Sequence, residues 1–186
     1  MIETSFKFNF ASSEVIDSYA KRINDEYESG EIGYYHLPAL GQNLLGEIEE
    51  YKKGLANIKN VVLVGIGGSS LGVKALKSML DGTKGIKREL LFLDNVDPCS
   101  YKSTLNGLNF DETLFIISSK SGNTIETITI FKCLLDDFKP QNLGKNFLII
   151  TDPGTNLENF AKENGIKVVL CTGRPIVSIV HLLEEL

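Results

Sequence analysis

The stretch Thr113-Leu-Phe-Ile-Ile-Ser118-Ser119-Lys120-Ser121-Gly122-Asn123-Thr124-Ile-Glu126-Thr127 runs from an unbroken apolar segment straight into a hydroxyl-rich turn with the composition of a helix start. An apolar run without alternation indicates a strand covered on both faces, and such strands belong to parallel sheets joined by helical crossovers. One strand–turn–helix unit of this kind therefore predicts an α/β fold.

The same unit recurs on both sides of it. Short apolar runs stand at Asn60 to Val64, Glu89 to Leu93, Asn146 to Thr151 and Ile166 to Leu170. Segments of helical period lie between them, at Ser69 to Leu80, Cys99 to Leu105, Thr124 to Phe138 and Thr155 to Glu163. Strict alternation predicts a three-layer αβα sandwich on a five-stranded parallel sheet with right-handed crossovers, and puts the polar loops after the strands on one rim. Residues 1–58 read differently. An amphipathic helix is expected from Ser12 to Tyr27, turn formers and aromatics from Gly30 to Gly41, and a second helix from Gln42 to Ala56. This is an N-terminal helical extension packed on the sheet, with residues 59–170 as the binding domain and 171–186 as a separate tail.

The turn after Ser118 has the chemistry of an anion pocket. The first N–H groups of a helix lack intrahelical partners and carry the positive end of the macrodipole, so a phosphate is favoured there. Ser119, Ser121 and Thr124 can add hydroxyl donors, and Lys120 a positive charge. Gly122 lacks the Cβ that would hold the backbone away from a ligand. The competing reading is a capped turn: Asn123 followed by Glu126 is a capping-box spacing. The loop contains no evident catalytic base, so it holds and does not react.

A second loop, Gly65-Ile66-Gly67-Gly68-Ser69-Ser70-Leu71-Gly72, follows the first strand. Gly65 and Gly67 fit the start of a dinucleotide fingerprint, but its third glycine falls on Ser70; Asp94, after the second strand, can mimic the acid that reads a ribose. A dinucleotide-dependent oxidoreductase thus stays open. The alternative is that Gly67 and Gly68 admit a ligand to the backbone while Ser69 donates to it, so that two loops share one phosphate. In Asp94-Asn95-Val96-Asp97-Pro98, Asp97 suits a helix N-cap with Pro98 at the first helical position.

Composition narrows the partners. The chain has 186 residues, 42% of them hydrophobic, enough for one well-buried domain. A net charge of −5, with no run of Lys or Arg longer than two residues, argues against nucleic acid and against a polybasic membrane patch. Cys99, Cys133 and Cys171 are far apart and form no CxxC, so neither a disulfide framework nor a metal knuckle is indicated, and free thiols in a reducing cytoplasm fit. The first ten residues lack the pattern of a signal peptide.

Taken together, Val64 to Gly72, Asp94 to Pro98 and Ser118 to Thr127 strongly resemble the phosphoglucose isomerase family of the sugar isomerase (SIS) fold, in order and in spacing, over about residues 10–170. The resemblance implies a cytoplasmic, cofactor-free aldose–ketose isomerase of glycolysis and gluconeogenesis acting on glucose 6-phosphate and fructose 6-phosphate. It further implies two SIS subdomains and, as a rule, a homodimer. Carried over by position, Gly68 and Ser69 match a sugar-phosphate contact, and Ser119, Lys120, Ser121 and Thr124 match the loop that grips the phosphate. The family's proton-transferring glutamate, ring-opening histidine and late lysine have no counterpart here; His36 and His181 match none of them. The implied role is therefore binding without catalysis, so the isolated chain is expected to be inactive. A stand-alone sugar-phosphate-binding regulatory module is the alternative.

The tail departs from the family. Where relatives carry a segment like Gly-Gly-Arg-Phe-Ser-Val-Leu-Ser, this chain reads Cys171-Thr-Gly-Arg174-Pro-Ile-Val-Ser-Ile-Val-His181. Codons for Arg174 to His181, with their degenerate bases chosen freely, can be read one base later as Gly-Arg-Leu-Ser-Val-Leu-Ser. A frameshift near residues 171–174 is the expectation, which makes the match of Arg174 to the family arginine accidental.

Overall fold

A computed structural model describes residues 13–30, 33–80 and 88–170. The chain divides into two compact units, Met1–Pro38 and Ala39–Leu186. The tail, with Cys171, Arg174 and His181, lies outside the described residues.

In the first unit, helix α1 (Ser13–Ser29) is followed by a 3-10 turn at Gly33–His36. Tyr35 donates its hydroxyl to Glu26 at 3.2 Å, and the Tyr27 and His36 rings lie 4.6 Å apart. None of the residues of α1 is buried; Val15, Ile16, Tyr19 and Ile23 are all exposed.

The second unit is built on β1 (Asn60–Val64), β2 (Glu89–Leu93), β3 (Thr113–Ser118), β4 (Phe147–Thr151) and β5 (Lys167–Leu170). All are parallel, in the order β2-β1-β3-β4-β5. The helices that follow α1 along the chain are α2 (Leu37–Lys53), α3 (Leu71–Leu80), α4 (Pro98–Leu105), α5 (Ile125–Phe138), the single turn α6 (Leu143–Asn146) and α7 (Asn156–Glu163).

Side-chain alternation sorts the core into two layers. Val61, Leu63, Leu114, Ile116, Leu148 and Ile150 face one side with Ile48 of α2 and Val73 of α3. Val62, Val64, Phe115, Ile117, Phe147 and Ile149 face the other with α5 (Ile130, Phe131, Leu134) and α7 (Leu157, Ala161). Phe115 and Phe147 stack at 5.3 Å, and Phe131 tilts against Phe147 at 5.4 Å, contacts worth about 0.5–1.5 kcal/mol each beyond area burial. The α/β sandwich expected from alternation is thus observed.

Boundaries differ in three places. α2 begins at Leu37, where turn formers suggested a loop, because Pro38 in a first helical turn forfeits no hydrogen bond. Asn146 ends α6 instead of opening β4; its side-chain amide donates to the carbonyls of Phe110 (2.7 Å) and Thr113 (2.9 Å). Ser69 does not start α3: a 3-10 turn at Gly67–Ser69 intervenes and the helix begins at Leu71.

Candidate anion-binding site

The strand order carries a topological switch. The crossover from β1 leads to β2 on one side, through α3, while β3 lies on the other side of β1 and leads away through α5 on the opposite face. Loops that diverge in this way leave a crevice at the carboxyl ends of the two strands, where open α/β sheets take their ligands. Here those loops are the glycine loop after β1 and the serine loop after β3.

They are close. Val64 pairs with Ile117 across the ladder. A Cβ built on Gly65 would lie 2.9 Å from the Ser118 carbonyl oxygen and 3.0 Å from the Ser69 Cβ, so Ser69 and the end of β3 flank one point. Gly68 is exposed and Ser69 half-buried beside the crevice. Ser70 is buried and turns its hydroxyl back to the Gly67 carbonyl at 3.4 Å.

In the serine loop, Ser119 is buried and shares a 2.9 Å hydrogen bond between its Oγ and Thr124 Oγ1; Lys120 and Ser121 are exposed. Thr124 is the N-cap of α5, yet no side chain caps that helix. The Asn123–Glu126 capping box does not form. Asn123 Oδ1 instead accepts from Asn156 at 3.4 Å, and the Asn123 N–H donates to Ser121 Oγ at 3.3 Å. The contrast within the sheet is informative: Asp97 caps α4 by accepting from Ser100 N–H at 2.6 Å, as expected, and Thr155 caps α7 by accepting from Glu158 N–H at 3.1 Å. The start of α5, beside the crevice, keeps its first N–H groups uncapped, and uncapped N–H groups favour an anion.

Gly122 has a packing role that its position in the sequence did not suggest. Its φ is +66°, and a Cβ there would lie 2.6 Å from Thr155 Cβ. The missing side chain makes room for the loop after β4, so the serine loop is braced from that side. Ser119 N–H donates to the Ile150 carbonyl at 3.0 Å, and Asp152 N–H to the Lys120 carbonyl at 3.1 Å. The brace is itself tied down by Glu158, whose carboxylate accepts from Gly154 N–H and pairs with Lys162, both at 2.6 Å. The Lys162 hydrogen bond first, then the Gly154 N–H, holds the Glu158 carboxyl below the usual range.

Two hydroxyls outside the expected set stand out. Ser118 Oγ, at the end of β3, and Thr127 Oγ1, in the first turn of α5, are buried without a hydrogen-bond partner. Buried hydroxyls are nearly always paired, so each has bonding capacity left over. Thr127 shares the sheet-facing stripe of α5 with Ile130, Phe131 and Leu134, and by sequence reads only as helix interior.

Asp94, the candidate ribose acid, is engaged instead by the Lys74 ammonium of α3, which also lies 5.2 Å over the Phe92 ring. Among the described residues no cluster of His, Cys, Asp and Glu has the makings of a metal site, and no helix is long and apolar enough to cross a membrane. Cys99 and Cys133 are free thiols.

Comparison with known proteins settles the family. The phosphoglucose isomerase family model matches residues 46–167, which contain both loops, the crevice and four of the five strands whole. The chain belongs to the phosphoglucose isomerase family. Among curated members, glucose-6-phosphate isomerase of Campylobacter jejuni is 44% identical over 90% of this chain, which spans 42% of that protein. A probable glucose-6-phosphate isomerase of Methanococcus maripaludis is 33% identical over 86% of the chain and 36% of its own length. The chain thus spans less than half of these phosphoglucose isomerase relatives. A hypothetical protein of Thermus thermophilus has the same fold, with a TM-score of 0.78 and 26% identity over 91% of this chain and 43% of its own. Glucose-6-phosphate isomerase of Chlamydia trachomatis aligns with a TM-score of 0.64 and 24% identity over 70% of this chain and 25% of its own. With membership established, the dinucleotide reading of the glycine loop falls away.

Proposed function

We propose that this chain supplies the phosphate-holding part of a glucose-6-phosphate isomerase, which interconverts glucose 6-phosphate and fructose 6-phosphate. The phosphoryl group sits in the β1–β3 crevice. Gly68 and Ser69 contact it from one loop, and Ser119, Lys120, Ser121 and Thr124 from the other. The observation that carries this reading is the uncapped start of α5 at the switch point, beside a lysine and three hydroxyls, within the stretch matched by the family.

The chemistry assigned to these residues is positioning. Backbone N–H groups and the Lys120 ammonium neutralise the phosphate dianion, and the hydroxyls orient its oxygens. Phosphate binding remote from the reacting carbons supplies orientation for the proton transfer between C1 and C2. That transfer is assigned to the glutamate, histidine and lysine of the family's other half, and the role assigned to the residues named here is to hold the phosphate. The complete enzyme needs no cofactor, acts in the cytoplasm in glycolysis and gluconeogenesis, and assembles as a homodimer, as in the family it resembles.

Thermal unfolding followed against inorganic phosphate, fructose 6-phosphate and NAD tests the reading. A ligand at one hundred times its Kd raises stability by about 2.7 kcal/mol. Both phosphates are expected to raise the melting temperature and NAD to leave it unchanged; a flat response to both phosphates rejects the site.

A further inference from the structure

The loop after β4 touches the serine loop through more than the Gly122 gap. Thr155 Oγ1 accepts from Glu158 N–H at 3.1 Å and lies 3.0 Å from Thr151 Oγ1, which in turn lies 3.4 Å from the Lys120 carbonyl oxygen. A threonine hydroxyl has one proton to give and can accept from others. The Lys120 carbonyl can only accept, so Thr151 spends its proton there and takes the proton of Thr155, whose oxygen is already receiving Glu158 N–H. Only this order satisfies every contact. The start of α7 is thereby wired through two hydroxyls to one carbonyl of the serine loop, and Thr151 is 1% exposed, so water has little access to replace the link.

That carbonyl matters because a trans peptide is planar, with its C=O and the following N–H on opposite sides. Asp152 N–H, at 3.1 Å, and Thr151 Oγ1 draw the Lys120 C=O toward the loop after β4. The Ser121 N–H of the same peptide must then point away from β4, toward the side where β1 and the glycine loop lie. Resting on the phosphate site proposed above, we infer that Thr151 and Thr155 are positioning residues. Neither touches the phosphoryl group; together they set the direction of the Ser121 amide that does.

The test is calorimetric titration of the full chain with inorganic phosphate and with fructose 6-phosphate, below the melting temperature of every variant. Thr151→Val removes the link to Lys120 and leaves the α7 cap in place. Thr155→Val removes link and cap together; Thr155→Ser keeps both. Asp97→Ala removes a cap of the same kind from α4 and serves as the control for a merely structural loss. Thr151→Val and Thr155→Val are expected to weaken both ligands about tenfold, the effect of misdirecting one hydrogen bond to a charged group. Thr155→Ser should stay within about twofold of the parent, and Asp97→Ala should bind like the parent despite a lower melting temperature. Thr151→Cys, a weaker donor of similar size, should give intermediate weakening and carries the test if a valine variant does not fold. Parent-like affinity in Thr151→Val and Thr155→Val, or in Thr151→Cys, overturns the positioning role and leaves the phosphate site standing. A parent chain that binds neither ligand overturns both.

Discussion

Gly122 and Thr155 are in such close register that a Cβ on the glycine would lie 2.6 Å from the threonine Cβ and 2.9 Å from its Oγ1. Two loops on neighbouring strand ends are held together by the absence of one methyl group. Real carbon atoms do not approach so closely, so any side chain at 122 separates the loops.

Gly122→Ala is accordingly expected to destabilise the chain by at least roughly 2 kcal/mol, combining the left-handed backbone penalty with the clash. Gly67 is the internal comparison: its φ is +58°, but a Cβ there meets nothing within 4 Å. Gly67→Ala should therefore cost only the backbone term, about 1 kcal/mol. Urea denaturation of both variants checks the ordering.

Lys120 is exposed, so Lys120→Ala should leave the urea midpoint nearly unchanged. Its loss of a charge-assisted contact to phosphate is expected to cost about 1.5–3 kcal/mol, a roughly tenfold to hundredfold fall in affinity measured by titration with fructose 6-phosphate. Equal affinity in the variant removes Lys120 from the site.

Glu158 governs an acid-side loss of stability. Its carboxyl is held below the ordinary value of 4.5 by Lys162 and the Gly154 N–H. A depressed carboxyl binds fewer protons in the folded state than in the unfolded one, so its contribution is present above that value and lost as pH falls through the folded one. Glu158→Gln should flatten the stability profile below about pH 4.5, read by denaturant melts at successive pH values.

Lys139, the C-cap of α5, is left-handed at φ 44° and donates its N–H to the Leu135 carbonyl at 3.0 Å. Glycine adopts this conformation without a Cβ penalty. Lys139→Gly should raise stability by about 0.5–1 kcal/mol, visible as an upward shift in melting temperature.

The sheet was legible because its signals are local. The runs at Asn60, Glu89 and Thr113 mark strands by composition alone, and the unbroken apolar pattern announces helices on both faces. Asp97 followed by Pro98 names its own cap, since both partners lie within one turn. Where a residue had a choice of partners, sequence spacing misled. Thr124, and not Asn123, became the N-cap of α5, and its hydroxyl went to Ser119 because the chain folds back there. Pro38 and Gly41 resembled a loop, yet both lie in α2.

The chain by itself determined which segments are strands, which turns carry hydroxyls and glycine, and which family those turns resemble, because each of these is written in neighbours a few residues apart. Tertiary structure alone decided that β1 and β3 lie side by side with their helices on opposite faces, so that two loops about fifty residues apart border one crevice. It also decided that Gly122 answers to Thr155, and that Thr151 reaches the Lys120 carbonyl. Those contacts join positions about thirty residues apart, and their physical cause is the ladder between β3 and β4, which no local pattern encodes.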